Sequence, residues 1–151
     1  MTIQFAYELF AVPSPVRSLG GRYTRPRPMV PITVIGPTGS YLIDGLIDSG
    51  SDETIFPDFV AGIIGIDLSG ATSLSTHGIG GTAVGVRSFD VTLRIAGSHE
   101  QHEWSAVVGF APLARRTAML GFAGFLQYFT ACFHGDLEFV ELTTNALYPG
   151  S

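Results

Sequence analysis

The sequence predicts an all-β protein, and three observations carry that reading. Its 19 Gly and 9 Pro are scattered between short runs of Val, Ile, Leu and Phe, so turn signals recur along the chain. Residues alternate with period two from Tyr41 to Asp48, from Phe89 to Ile95 and from Glu103 to Val108, as strands with one buried face do. Turn residues also stand between neighbouring runs, at Gly36-Pro37-Thr38-Gly39, at Gly97-Ser98 and at Gly135.

In chain order, Ile3 to Val12 reads as a first strand with Phe5, Tyr7 and Leu9 on one face. Pro13 to Pro31 is rich in Pro, Gly and Arg with little periodicity, which predicts an extended arm or linker. A processing site or an anionic docking strip is its functional alternative. Residues 1–28 are therefore expected as an N-terminal strand and Pro/Arg-rich arm ahead of a domain spanning 29–151. Met29 to Ile35 and Tyr41 to Asp48 read as strands around a tight turn. Thr54 to Phe56 is a short strand, and Pro57 to Ile64 a brief helix with proline near its start. Thr76 to Val86 reads as a glycine-rich hairpin, Phe89 to Val108 as a second, and Phe129 to Leu142 as a third. Gly124 to Tyr128 opens a short helix. There is no internal repeat.

At 151 residues the chain suits one domain. Hydrophobic residues make up 46% and charged residues 14%, the latter well below the roughly 25% of ordinary soluble domains. Self-association would cover the surplus apolar surface. A net charge of −5 makes no case for a nucleic-acid partner, although all 8 basic residues are arginines and Arg17, Arg22, Arg25 and Arg27 fall in one stretch. Cys132 is alone, which excludes an internal disulfide, suits a reducing compartment, and reads as a buried structural residue. Met1 to Phe5 lacks the features of a secretory signal. The longest apolar run, Ala118 to Phe133, is interrupted by Gly121, Gly124 and Gln127 and is too short for a membrane span. A cytoplasmic location follows as the expectation. His99 and His102 are three residues apart in a turn-like context rather than four apart on a helix, so they read as a solvated loop, and neither a metal nor a cofactor is expected. Trp104, Phe110 and Phe122 read as core or interface packing.

The most informative stretch is Leu46-Ile47-Asp48-Ser49-Gly50-Ser51-Asp52-Glu53-Thr54. It sets a carboxylate at the end of an apolar strand, where the strand holds it rigidly, and follows it with a hydroxyl and a glycine amide able to bond and orient it. Asp44 shares that strand face but lacks the hydroxyl and reads as a surface carboxylate.

Ile47-Asp48-Ser49-Gly50-Ser51 resembles the hydrophobic-Asp-Thr/Ser-Gly-Ala/Ser signature of aspartic proteases, and Asp52-Glu53-Thr54-Ile55 is similar to its retroviral extension. Thr76-His77-Gly78-Ile79-Gly80-Gly81 resembles the glycine-rich flap of these enzymes. Met119-Leu120-Gly121 is similar to the hydrophobic-hydrophobic-Gly motif that packs beside the active-site loop. Phe125 to Phe129, with Phe133 and Gly135, resembles the end of bacterial retropepsin-like domains, so the likeness covers roughly Val30 to Leu142. It implies a retropepsin-like acid-protease barrel acting as a homodimer on peptide or protein substrates, without cofactor. Asp48, Ser49 and Gly50 would form the catalytic loop; Asp52, Glu53, Gly78, Ile79, Gly80 and Gly81 would contact extended, largely apolar substrate. A catalytically silent peptide-binding or dimerisation module of the same shape is the alternative. The sequence departs from the retroviral pattern at Phe122 and Ala123, where Arg and Asn or Asp stand, and that Arg is the usual partner of the acid matching Asp52. His134 likewise stands where relatives often carry Asp.

Overall fold

A computed structural model describes residues 2–70, 73–77 and 83–150. The described strands are β1 (Thr2–Ala6), β2 (Glu8–Val16), β3 (Arg22–Arg27), β4 (Met29–Ile35), β5 (Ser40–Ile47), β6 (Ile55–Pro57), β7 (Ser73–His77), β8 (Ala83–Ala96), β9 (Gln101–Ala111), β10 (Ala118–Leu120), β11 (Phe129–His134) and β12 (Phe139–Thr144). A single α-helix, α1 (Asp58–Ile64), follows β6 among the described residues.

Six of these strands close on themselves in the order β4-β5-β10-β6-β9-β8 and back to β4, with β7 added outside β8. Closure pairs strand edges that would otherwise be open. The alternation seen from Tyr41 onward sets the register: Ile43, Gly45 and Ile47 are buried, while Leu42 and Asp44 face outward. Inside the barrel lie Ile32, Val34, Ile43, Phe56, Leu93, Val108, Phe110 and Leu120, all buried. Strand β10 wedges between β5 and β6, parallel to β5, with Ala118 opposite Gly45 and Leu120 opposite Ile47. Position 45 must be glycine for that wedge to seat, since a Cβ there would come within 2.7–2.9 Å of the Leu120 side chain.

The N-terminal segment differs from the sequence expectation. The predicted first strand breaks at Tyr7: β1 pairs with β12, and β2 turns away to pair with β3. Pro13 to Pro31 is thus largely strand rather than an extended linker. Its periodicity is masked because the hairpin is two-stranded, and because the register slips between Ala11 and Val16, where Pro13 and Pro15 sit without spoiling a ladder. Gly20 and Gly21 make the turn at φ of 67° and 86°. The hairpin is tied to the domain by Arg22, whose guanidinium donates to both carboxylate oxygens of Glu138, and by the Tyr7 amide donating to the Glu138 carbonyl at 2.7 Å.

The hydrogen bond from Arg22 holds the Glu138 carboxyl below the ordinary glutamate range. A carboxylate lowered in this way stabilises the fold above its unfolded value and loses that contribution as pH falls through the folded one. Glu138 is therefore expected to titrate below a free glutamate in carboxyl-detected NMR. Arg22→Gln should return it to the ordinary range and detach the hairpin; an unchanged titration in the variant would contradict the pairing.

Two further expectations are corrected. Cys132 is exposed, because β11 is an edge strand whose Thr130-Cys132 face points to solvent. His102 is buried in strand β9 rather than in a solvated loop. The alternation of β9 turns it inward with Trp104, and it packs against Phe129 and Tyr148 at ring-centroid distances of 6.2 and 5.5 Å. Among the described residues no helix is long and apolar enough to cross a membrane.

Candidate active site

Asp48 is the first residue after β5, half-buried at the end of the apolar strand. Its position is fixed from both sides. The Ile47 amide donates to the Pro28 carbonyl at 3.0 Å, and the Asp48 amide donates to the Leu120 carbonyl at 3.0 Å. The chain then reverses, with the Ser51 amide donating to the Asp48 carbonyl at 3.1 Å. Within this turn the Gly50 amide donates to Asp48 Oδ1 at 2.9 Å, so one carboxylate oxygen is held by a backbone dipole. The Ser51 hydroxyl donates to the Glu53 carbonyl at 2.8 Å and stiffens the outgoing limb.

The segment after β10 straps this loop down. The Phe122 amide donates to the Ser51 carbonyl, and the Ala123 amide to the Asp52 carbonyl, each at 2.9 Å. The Thr54 amide donates in turn to the Ala123 carbonyl at 3.1 Å, and the Thr54 carbonyl accepts from the Gly109 amide at 2.8 Å. Gly121 lies directly on the loop: a Cβ there would stand 2.6 Å from the Ser51 carbonyl oxygen. One residue layer further, the Trp104 indole donates to the buried Gly124 carbonyl at 2.9 Å and anchors the strap to β9. The expected contact between Met119-Leu120-Gly121 and the Asp48 loop is thus present, made mainly by backbone groups.

Ser49 and Gly50 are exposed beside Asp48. Asp52 is exposed and Glu53 half-buried on the same loop, and among the described residues neither is in an ion pair. Phe122, at the place of the retroviral Arg, is 60% exposed next to that loop, whereas Trp104 and Phe110 are in the core. Gly78, Ile79, Gly80 and Gly81 lie outside the described residues. The strands leading to them are paired, with His77 opposite Ala83. Asp44 is exposed on the outer face of β5. Among the described residues no group of three His, Cys, Asp or Glu is placed to hold a metal ion.

The backbone acceptors at Pro28, Leu120 and Ala123 were not visible as site residues in the sequence, since backbone groups leave no residue-type signature.

This architecture, a six-stranded closed barrel with an Asp-Ser-Gly loop held between β5 and a parallel β10, is the retropepsin-like fold. The chain is similar over 94% of its length to a retropepsin-like aspartic protease from Rickettsia conorii, covering 98% of that chain with a TM-score of 0.57 at 13% identity. It also aligns with the EIAV protease in complex with the inhibitor HBY-793, over 63% of this chain and 81% of that one, with a TM-score of 0.47 at 17% identity. No protein-family model and no curated protein matches the sequence.

Proposed function

We propose that the chain is an aspartic endopeptidase whose active site is completed by a second copy, each supplying one Asp48. The observation that carries this reading is the Asp48 loop itself: a carboxylate at a strand end, oriented by the Gly50 amide at 2.9 Å and strapped by β10 in a retropepsin-like fold. The sequence holds one complete Asp-Ser-Gly motif and no repeat, while the chemistry needs two carboxylates. Residues 29–151 form the protease domain in this reading, with β1 and the β2–β3 hairpin of the first 28 residues appended to it.

Two carboxylates about 3 Å apart cannot both ionise, so the pair shares a proton. One accepts a proton from a water as that water attacks the scissile carbonyl; the other donates its proton to the carbonyl oxygen. The gem-diol collapses as the first carboxyl protonates the leaving nitrogen and the second takes a proton from a gem-diol hydroxyl, which restores the shared proton. Ser49, exposed next to Asp48, bonds across the two-fold axis in this assembly. Asp52 and Glu53, together with Gly78, Ile79, Gly80 and Gly81, contact an extended peptide substrate in this reading.

Cleavage of an unbiased peptide library, with sedimentation at the same concentrations, tests the proposal. Turnover should rise with the fraction of a species twice the 16.1 kDa chain mass. Full turnover by a strict monomer, or none from a well-folded dimer, would contradict it. Ser49→Ala is expected to weaken self-association by about tenfold, as loss of one or two hydrogen bonds does, with a milder loss of rate than loss of the carboxylate. Unchanged dimer affinity in that variant would remove Ser49 from the axis.

A further inference from the structure

A cavity of about 320 Å³ lies between Leu46 of β5, the residues Phe10, Arg27 and Met29, and the segment 115–117 that leads into β10. Phe10, Met29 and Leu46 give it an apolar lining, and Arg27, Arg115 and Arg116 supply its charge. No carboxylate lines it, so 3 of the chain's 8 basic residues converge on one cavity in a protein of net charge −5. Three of the five arginines elsewhere have structural duties. Arg22 pairs with Glu138, Arg94 with Glu103, and Arg87 donates to the Leu68 carbonyl. Among the described residues Arg27, Arg115 and Arg116 are in no ion pair. Two of them rest on aromatic faces instead, Arg27 at 4.9 Å from the Phe10 ring centroid and Arg116 at 4.3 Å from that of Phe59. Stacking of this kind orients a guanidinium while leaving its N–H edge free for a planar anion.

The cavity's place on the strand gives it a use. Leu46 and Asp48 are two residues apart and share the outward side of β5, roughly 7 Å from each other at strand rise. The parallel pairing of Ala118 with Gly45 sets the start of β10 beside Leu46, and Thr117 and the two arginines just before it complete the cavity wall. A peptide lying extended with its scissile bond at Asp48 would therefore drop a side chain from within three residues of that bond into the cavity.

We propose that this cavity is an acid-selective peptide subsite, taking an Asp or Glu side chain whose methylenes pack on Met29 and Leu46 and whose carboxylate meets the arginines. It rests on the protease reading for its position relative to the cut bond, but its charge selectivity can be read by binding alone. The refinement matters for specificity: substrates are apolar around the bond yet carry one acid at a set distance.

The test uses blocked peptides of one cleavable sequence bearing Glu or Gln at each position within three residues of the bond. Binding is read by fluorescence anisotropy on the Asp48→Asn chain, and cleavage as kcat/KM on the wild type. At one position Glu should exceed Gln by about tenfold in both readouts, the scale of one charge-assisted hydrogen-bonded pair. The ratio should shrink at 0.5 M salt, where the Debye length is only a few ångströms. Arg115→Gln/Arg116→Gln, made in exposed positions that leave the core untouched, should bring the ratio to about one. A wild-type ratio near one at every position overturns the proposal, as does a preference that survives the double variant. Displacement of the Glu peptide by inorganic phosphate at matched ionic strength, equal to that by a Glu competitor peptide, would mean a general anion site and overturn it too. Glu-selective binding without cleavage by the wild type would uphold the subsite and sink the endopeptidase reading.

Discussion

Asp48→Asn is expected to lower peptide cleavage by about a thousandfold or more, within the range that positioned acid–base groups supply, while fold and self-association stay intact. Asn is close to isosteric, and its Oδ1 can still accept from the Gly50 amide, which lies 2.9 Å from the native oxygen. The loop's backbone bonds to Leu120, Ser51 and Phe122 do not involve the side chain at all. What is lost is the capacity to take a proton from water and to hold the proton shared with the second carboxylate. Parallel measurements of kcat/KM, thermal unfolding and sedimentation on the purified variant decide the matter. Near wild-type turnover would remove Asp48 from the chemistry; loss of the dimer together with turnover would make it a structural residue.

Gly121→Val is expected to damage both stability and turnover. A Cβ at position 121 would lie 2.6 Å from the Ser51 carbonyl oxygen and 2.7 Å from the Glu53 carbonyl carbon. Both are backbone atoms of the Asp48 loop, so no side chain can swing aside and the loop itself must shift. Overpacking of this kind costs about 1–3 kcal/mol, and a displacement of about 1 Å at the carboxylate costs on the order of a hundredfold in rate. Gly62→Ala is the internal control: it lies on α1 with nothing within 4 Å of an added Cβ, and should be neutral or slightly stabilising, as alanine is in helices. Urea unfolding and turnover per folded chain should separate the two variants clearly. Equal stability and equal turnover for Gly121→Val would mean that β10 does not set the loop.

The parts of the fold legible in the sequence are those built from local signals. The β4-turn-β5 hairpin, the β8–β9 hairpin and β11–β12 each combine apolar runs with a turn, and each lies close to where those local signals place it. The site loop was legible because Asp48-Ser49-Gly50 is contiguous. Strand β10 was visible only as a motif, because three residues show no period and its pairing with β5 is parallel and remote in sequence. The β2–β3 hairpin was hidden for a different reason: most of its residues are exposed or half-buried on either face, so burial imposes little alternation. Cys132 and His102 were misjudged because edge position and strand start are tertiary facts. The arginine-lined cavity is of the same kind, joining Arg27 to Arg115 and Arg116 across almost 90 residues.

The claim that one active site needs two chains is tested most directly by mixing. Wild type and Asp48→Asn are denatured together, refolded in varied proportion at constant total chain, and assayed for peptide cleavage. If each site takes one Asp48 from each copy, activity follows the square of the wild-type fraction, and an equal mixture keeps about one quarter of it, the share of wild-type pairs in a random two-fold assembly. A linear fall, with about half the activity left at equal proportions, would mean that each chain works alone and would contradict the account.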